Sequence, residues 1–170
     1  MSNPTRPDRP AFKGLTWHRD QYYSLFAPVD WQKVMWPDGR QGMILLPNSE
    51  DLHTLFAIEV IDLGTEVTSD DVPYLAQGLR DGIKALQDRK IEMTDESVVG
   101  RLVELEARYS FVEAEERRKR WVRVLYHKTH QVTVTAQGAT EDAYAYWLPM
   151  FNEAMMTIKV HDIVPKEPTT

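Results

Sequence analysis

The chain contains no cysteine. Disulfide stapling, thiolate nucleophiles and zinc sites built on Cys are therefore excluded. It also lacks any stretch approaching the roughly 18 consecutive apolar residues of a membrane-spanning helix. The first residues, MSNPTRPDRPAFKG, have no apolar core of the kind a secretory signal needs. Positive charge is in deficit, with 20 Lys and Arg against 26 Asp and Glu and a net charge of −6. Phosphate backbones and anionic membranes require a cationic footprint, so no nucleic acid is expected as partner. Catalytic signatures are missing too: there is no Gly-rich phosphate loop, no G-x-S-x-G elbow and no H-E-x-x-H. No catalytic residue, metal ligand set or cofactor is expected, and the cytoplasm is the expected location.

What is present is material for one core. At 170 residues and 42% hydrophobic, the chain supports a single globular domain. Residues 1–14, rich in proline, read as a disordered leader, 15–163 as one α+β domain, and 164–170 as a disordered tail. Two segments have helical period. In the first, Val72, Leu75, Ala76, Leu79, Ile83 and Leu86 make one stripe. Ser69 or Asp70 is placed to cap it, Pro73 sits in the first turn, and Gly78 and Gly82 offer close approach to a sheet. In the second, Tyr144, Trp147, Leu148, Phe151, Met155 and Ile158 repeat the pattern behind a Thr140 cap. Pro149 is expected to kink or divide that helix.

Strand patterns fill the remainder. GMILLP is continuously apolar and reads as central. TLFAIEVID places Phe56, Ile58 and Val60 on one face. In RLVELEARYSFV, Val103, Leu105, Ala107, Tyr109 and Phe111 alternate with Glu104, Glu106, Arg108 and Ser110. WVRVLY and HQVTVTAQ follow, which predicts an antiparallel meander with one apolar and one polar face. The polar face is expected to carry Glu104, Glu106, Arg108, Trp121, Arg123, Thr133 and Thr135.

Several smaller features compete for a role. Arg117, Arg118, Lys119 and Arg120 follow three glutamates, and the stretch from 113 to 120 nets only +1. It reads as a charged hairpin corner, with a contact for an acidic partner as the alternative. His127 and His130 flank a predicted turn without a third ligand in view. Trp31 and Trp36 flank Lys33, a pattern that suits an aromatic ligand clamp, but core or edge packing is the preferred reading because tryptophan buries large area wherever it can.

The stretch YYSLFAPVDW, with Tyr23, Ser24, Leu25, Phe26, Pro28 and Trp31, resembles the entry to the PsbP/Mog-like fold (the Mog/PsbP/DcrB-like proteins). The order that follows is similar as well: apolar strands, a helix beginning near Pro73, a long meander and a closing helix over 140–158. The resemblance implies an antiparallel β-sheet of about six strands packed by helices in an αβα arrangement. It also implies a role in binding, since proteins of this shape include a photosystem extrinsic subunit, a Ran-binding protein and bacterial envelope or secretion adaptors. No functional residue carries over position by position.

The first expectation for function is a non-catalytic binding or adaptor module that engages another protein or forms a homodimer through the polar sheet face. The alternative is a small-molecule-binding protein or an unrecognised enzyme, with a pocket between the sheet and the segment carrying Tyr22, Trp31 and Trp36. Self-association through a sheet edge is a third possibility.

Overall fold

A computed structural model describes residues 9–161. Residues 1–8 of the expected leader and the whole tail 164–170 lie outside the described residues. Arg9 to Gly14 are described: Pro10 is buried, and the Gly14 carbonyl accepts a hydrogen bond from Val29 N at 2.9 Å.

The fold is α+β, and the described residues form ten strands in two antiparallel sheets and two long helices. Strands β1 (Leu15–Arg19), β2 (Tyr23–Pro28) and β10 (Lys159–Val160) form a small sheet in the order β1-β2-β10. The large sheet has the order β3-β4-β5-β9-β8-β7-β6. Its members are β3 (Gln32–Val34), β4 (Gln41–Leu46), β5 (Leu55–Asp62), β6 (Lys90–Val99), β7 (Leu102–Glu113), β8 (Glu116–His127) and β9 (His130–Gly138). GMILLP therefore lies one strand in from an edge, not at the centre, and β9 takes the central place.

Helix α1 (Val72–Lys84) follows a short 3-10 turn, Ser69–Asp71. The start is set by Thr68, one residue earlier than expected, because Asp71 reaches back to Thr68 N at 2.9 Å in a capping box. The predicted stripe faces the sheet: Ala76 and Ile83 are buried with Val103, Leu105, Ala107, Tyr109, Phe111, Val122, Val124 and Tyr126. Gly78 and Gly82 lie on the opposite, exposed side, where an added Cβ would meet nothing within 4 Å. They serve no close approach.

Helix α2 (Glu141–Thr157) begins where Thr140 Oγ1 accepts from Ala143 N at 3.1 Å. Pro149 does not divide it. Pro149 and Ala145, whose carbonyl loses its donor, are both exposed, so water can satisfy that carbonyl. The helix buries Tyr144, Met150, Phe151, Ala154 and Met155 against the other side of the large sheet and the inner side of β2.

Both faces of the large sheet are thus covered, and this fixes where polar residues go. Strand β8 has buried apolar residues on both sides, with Val122, Val124 and Tyr126 under α1 and Trp121 and Leu125 under α2. Its neighbour β9 turns its apolar side the other way. Val132, Val134 and Ala136 pack under α2 beside Phe56, Ile58 and Val60.

Candidate functional site

The meander brings five of the seven expected contact residues together. Glu104 pairs with Leu125, Glu106 with Arg123 and Arg108 with Trp121, so these side chains project on the α2 side. Thr133 and Thr135 do not join them. They pair with Val124 and Val122, on the α1 side. The expected single polar face does not exist, because the apolar side of the meander changes between β8 and β9.

The five that converge are engaged with one another and with α2. Arg123 Nε lies 2.5 Å from Glu104 Oε1, and Nη1 donates to Met155 O in the last turn of α2 at 2.6 Å. A cation on the last carbonyls of a helix suits their partial negative charge. Trp121, buried at 3% exposure, donates Nε1–H to Glu106 Oε1 at 2.8 Å. The Arg108 guanidinium stacks over the Trp121 ring at 4.1 Å, with Nη2 3.9 Å from the same Glu106 oxygen. Beside them Tyr144 is buried, and that burial pushes its phenol above the usual tyrosine range while the Arg108 charge pulls it back. The Arg123 bond to Met155 O ties α2 to the sheet, and the remaining contacts join β7 to β8 as a cross-strand ion ladder.

The cationic run is engaged too. The turn before it is only Ala114 and Glu115, both at positive φ, so the run lies within β8. Arg117 donates to Asp88 O and Ser110 Oγ, both at 3.0 Å. Buried Arg118 pairs with Glu113 at 3.0 Å, and Lys119 with Glu92 at 3.0 Å. Arg120 donates to Gln137 Oε1 at 2.6 Å and covers Phe111. His130 packs on Tyr22, with ring centroids 4.9 Å apart, and approaches Asp62 to 3.9 Å. Among the described residues no three His, Asp or Glu side chains gather to hold a metal.

Tyr22, Trp31 and Trp36 occupy three different settings. Trp31 is buried among Phe56, Trp147 and Phe151. Trp36 donates to Ile58 O at 2.8 Å under the Arg40 guanidinium.

Among the described residues, no element covers the outer face of the small sheet. Alternation along β2 sends Tyr23, Leu25 and Ala27 into the core and Phe26 outward. Phe26 pairs with Trp17, and their rings stack with centroids 6.4 Å apart. Trp17 is 51% exposed and Phe26 42%, and Leu15, two residues before Trp17 on the same side of β1, is exposed as well. Arg19 lies over the Trp17 ring at 5.4 Å. Across the sheet, Lys159 pairs with Ser24. Trp17, Phe26, Ser24, Thr157, Lys159 and His161 line a groove of about 380 Å³. Thr157 fixes one side of it, accepting from Phe26 N at 2.9 Å. His161 Nε2 is buried there without a partner among the described residues. Neither Arg19 nor Lys159 enters an ion pair among them. Within β1, burial and then the Lys33 charge hold the His18 imidazole below its ordinary value, so it does not add to this positive field near neutral pH.

From the sequence, Ser24 and Phe26 enter only through the family resemblance, and Trp17, Arg19 and Lys159 have no assigned role. The available signal was LTWHR, where Leu15, Trp17 and Arg19 share a side. It was masked because the small sheet was not anticipated.

No helix among the described residues is long and apolar enough to cross a membrane. No family model matches the chain, and no curated protein matches its sequence. Solved structures do match in shape. CyanoP, the cyanobacterial PsbP of Synechocystis, is 11% identical with a TM-score of 0.63 over 95% of this chain and 98% of its own. LpqN, involved in cell envelope biogenesis of Mycobacterium tuberculosis, is 13% identical with a TM-score of 0.60 over 88% and 91%. PA94 of Pseudomonas aeruginosa, a protein of unknown function, is 16% identical with a TM-score of 0.55 over 91% and 99%. At these identities the fold is what is shared: the chain has a PsbP-like α+β fold.

Proposed function

We propose that the protein is a non-catalytic binding module that captures an acidic segment of another protein, anchored by apolar side chains, on the outer face of the small sheet. The observation carrying this reading is the stacked, exposed pair Trp17 and Phe26 with Arg19 and Lys159 beside it. Aromatic side chains with a neighbouring arginine are the residue types that dominate binding energy at interfaces. The two cations stand out on a chain of net charge −6, so a partner segment bearing Asp or Glu is steered to this face and away from the rest. The ionic ladder of Glu104, Glu106, Arg108 and Arg123 is engaged within β7 and β8, with Arg123 reaching on to α2.

Selection from a displayed peptide library tests this. The expected outcome is enrichment of peptides with Asp or Glu flanking Leu, Phe or Trp. Binding should fall at least about ten-fold, some 1.4 kcal/mol, in Trp17→Ser and Phe26→Ser. Arg19→Glu should weaken binding and flatten its salt dependence. Enrichment that survives Trp17→Ser with Phe26→Ser, or no enrichment at all, defeats the proposal.

A further inference from the structure

A second opening lies on the other side of α2, at the end of the large sheet. It is a cleft of about 520 Å³, within the roughly 300–1,000 Å³ typical of small-molecule sites. Tyr146 and Trp147 from α2 form one wall, with their rings edge to face and 5.0 Å apart. Gln32 from β3 and Asn48 and Ser49 from the loop after β4 form the other.

The carboxylates at this cleft already have partners. Both Asp51 oxygens are taken, Oδ1 by the backbone N–H groups of His53 and Thr54 and Oδ2 by the Thr54 hydroxyl at 2.6 Å. Asp30 faces Lys13 at 3.7 Å. What stays available is neutral. The Gln32 amide and the Ser49 hydroxyl have no partner among the described residues, and Asn48 uses only Oδ1, accepting from Glu50 N at 3.0 Å. Amides and hydroxyls both donate and accept. Trp31 packs edge-on behind Trp147 at 6.3 Å and so backs the aromatic wall, without itself lining the cleft.

From these observations we infer that the cleft binds a saccharide. A sugar ring lays its C–H face on an aromatic wall and presents hydroxyls that both donate and accept, which is what neutral amides and a serine opposite an indole match. Asp51 keeps its negative charge and opposes an anionic ligand, while both of its oxygens are engaged and Asp30 is paired with Lys13, so neither offers a cation a free carboxylate oxygen pair.

A glycan array followed by calorimetric titration with cellobiose, maltose and N,N′-diacetylchitobiose tests this, with choline and inorganic phosphate as charged probes. At least one saccharide should saturate the protein. Gln32→Ala, an exposed change that leaves the melting curve in place, should weaken it several-fold, and Trp147→Leu should abolish binding. Since Trp147 also packs on Trp31, a folding failure of that variant leaves Gln32→Ala and Asn48→Ser to decide. Absence of saccharide binding at millimolar concentration, binding indifferent to Gln32→Ala and Asn48→Ser, or binding of choline or phosphate in its place overturns the inference. The site is separate from the small-sheet groove, so Trp17→Ser should leave saccharide binding intact.

Discussion

Arg123 offers a sharp test of how α2 is held. Its guanidinium bridges Glu104 on β7 and the Met155 carbonyl in the last turn of the helix, at 2.5 and 2.6 Å. Replacement by Met keeps the apolar stem and removes both bonds. Each hydrogen bond to a charged group contributes about 1.5–3 kcal/mol. Both side chains retain some water access, with Arg123 18% and Glu104 21% exposed, so values near the lower end apply. The expected loss is about 3 kcal/mol, two bonds at about 1.5 kcal/mol each, with Glu104 left to the water that already reaches it. For a chain of this size that is a fall in Tm of roughly 5–10 °C. Urea unfolding should give the same loss at an unchanged m-value, since the surface exposed on unfolding stays the same. Glu104→Gln combined with Arg123→Met should be less destabilised than the sum of the single variants, because the pair couples. A Tm shift within about 1 °C, or strict additivity, refutes the view that this bridge seats the helix.

Three further outcomes follow from the same structure. Gly78→Ala places a methyl group in open space on the exposed side of α1 and should stabilise the protein by about 0.5–1 kcal/mol, read as a higher urea midpoint. Gly138→Ala should cost about 3 kcal/mol or prevent folding, because a Cβ there would collide with the Tyr144 and Thr140 backbone at the start of α2; thermal unfolding measures it. Burial, and then the Asp20 charge, push the Tyr23 phenol far above its usual range. The folded state then resists ionisation while the unfolded state ionises near pH ~10, so stability should be full below that value and fall as pH rises past it. Urea midpoints between about pH 9 and 11 should fall less steeply in Tyr23→Phe.

Much of the fold is written in simple periodicities. The 103–111 alternation is read without ambiguity because one side of β7 lies under α1 and the other carries charge. The α1 stripe and the Thr140 cap are equally local signals. What escapes is the sidedness of β9. Period two gives Thr133 and Thr135 a common side but does not say which side of the sheet that is. The clue lay in β8, where Trp121, Val122, Val124, Leu125 and Tyr126 are all buried. A strand apolar on both sides is covered twice, and its neighbours need not share a polar face. Strand β6 escapes for the opposite reason: KIEMTDESVV is an edge strand exposed over nearly its whole length, so no burial shapes its pattern. The groove on the small sheet depends on pairing Leu15–Arg19 with Tyr23–Pro28, and on β10, only two residues long, arriving from the far end of the chain. Such short strands carry little periodicity of their own. Pro149 misleads because the cost of a proline depends on whether water reaches the freed carbonyl, which sequence does not display.

The contact surface itself is tested most directly by hydrogen exchange. Backbone amides of the protein would be followed by mass spectrometry with and without a saturating acidic peptide from the library selection. Protection over Leu15–Arg19, Tyr23–Pro28 and Thr157–His161, with β6 and β7 unchanged, is the predicted result. Protection confined to the strands carrying Glu104, Glu106 and Arg108, with the small sheet unaffected, would contradict it.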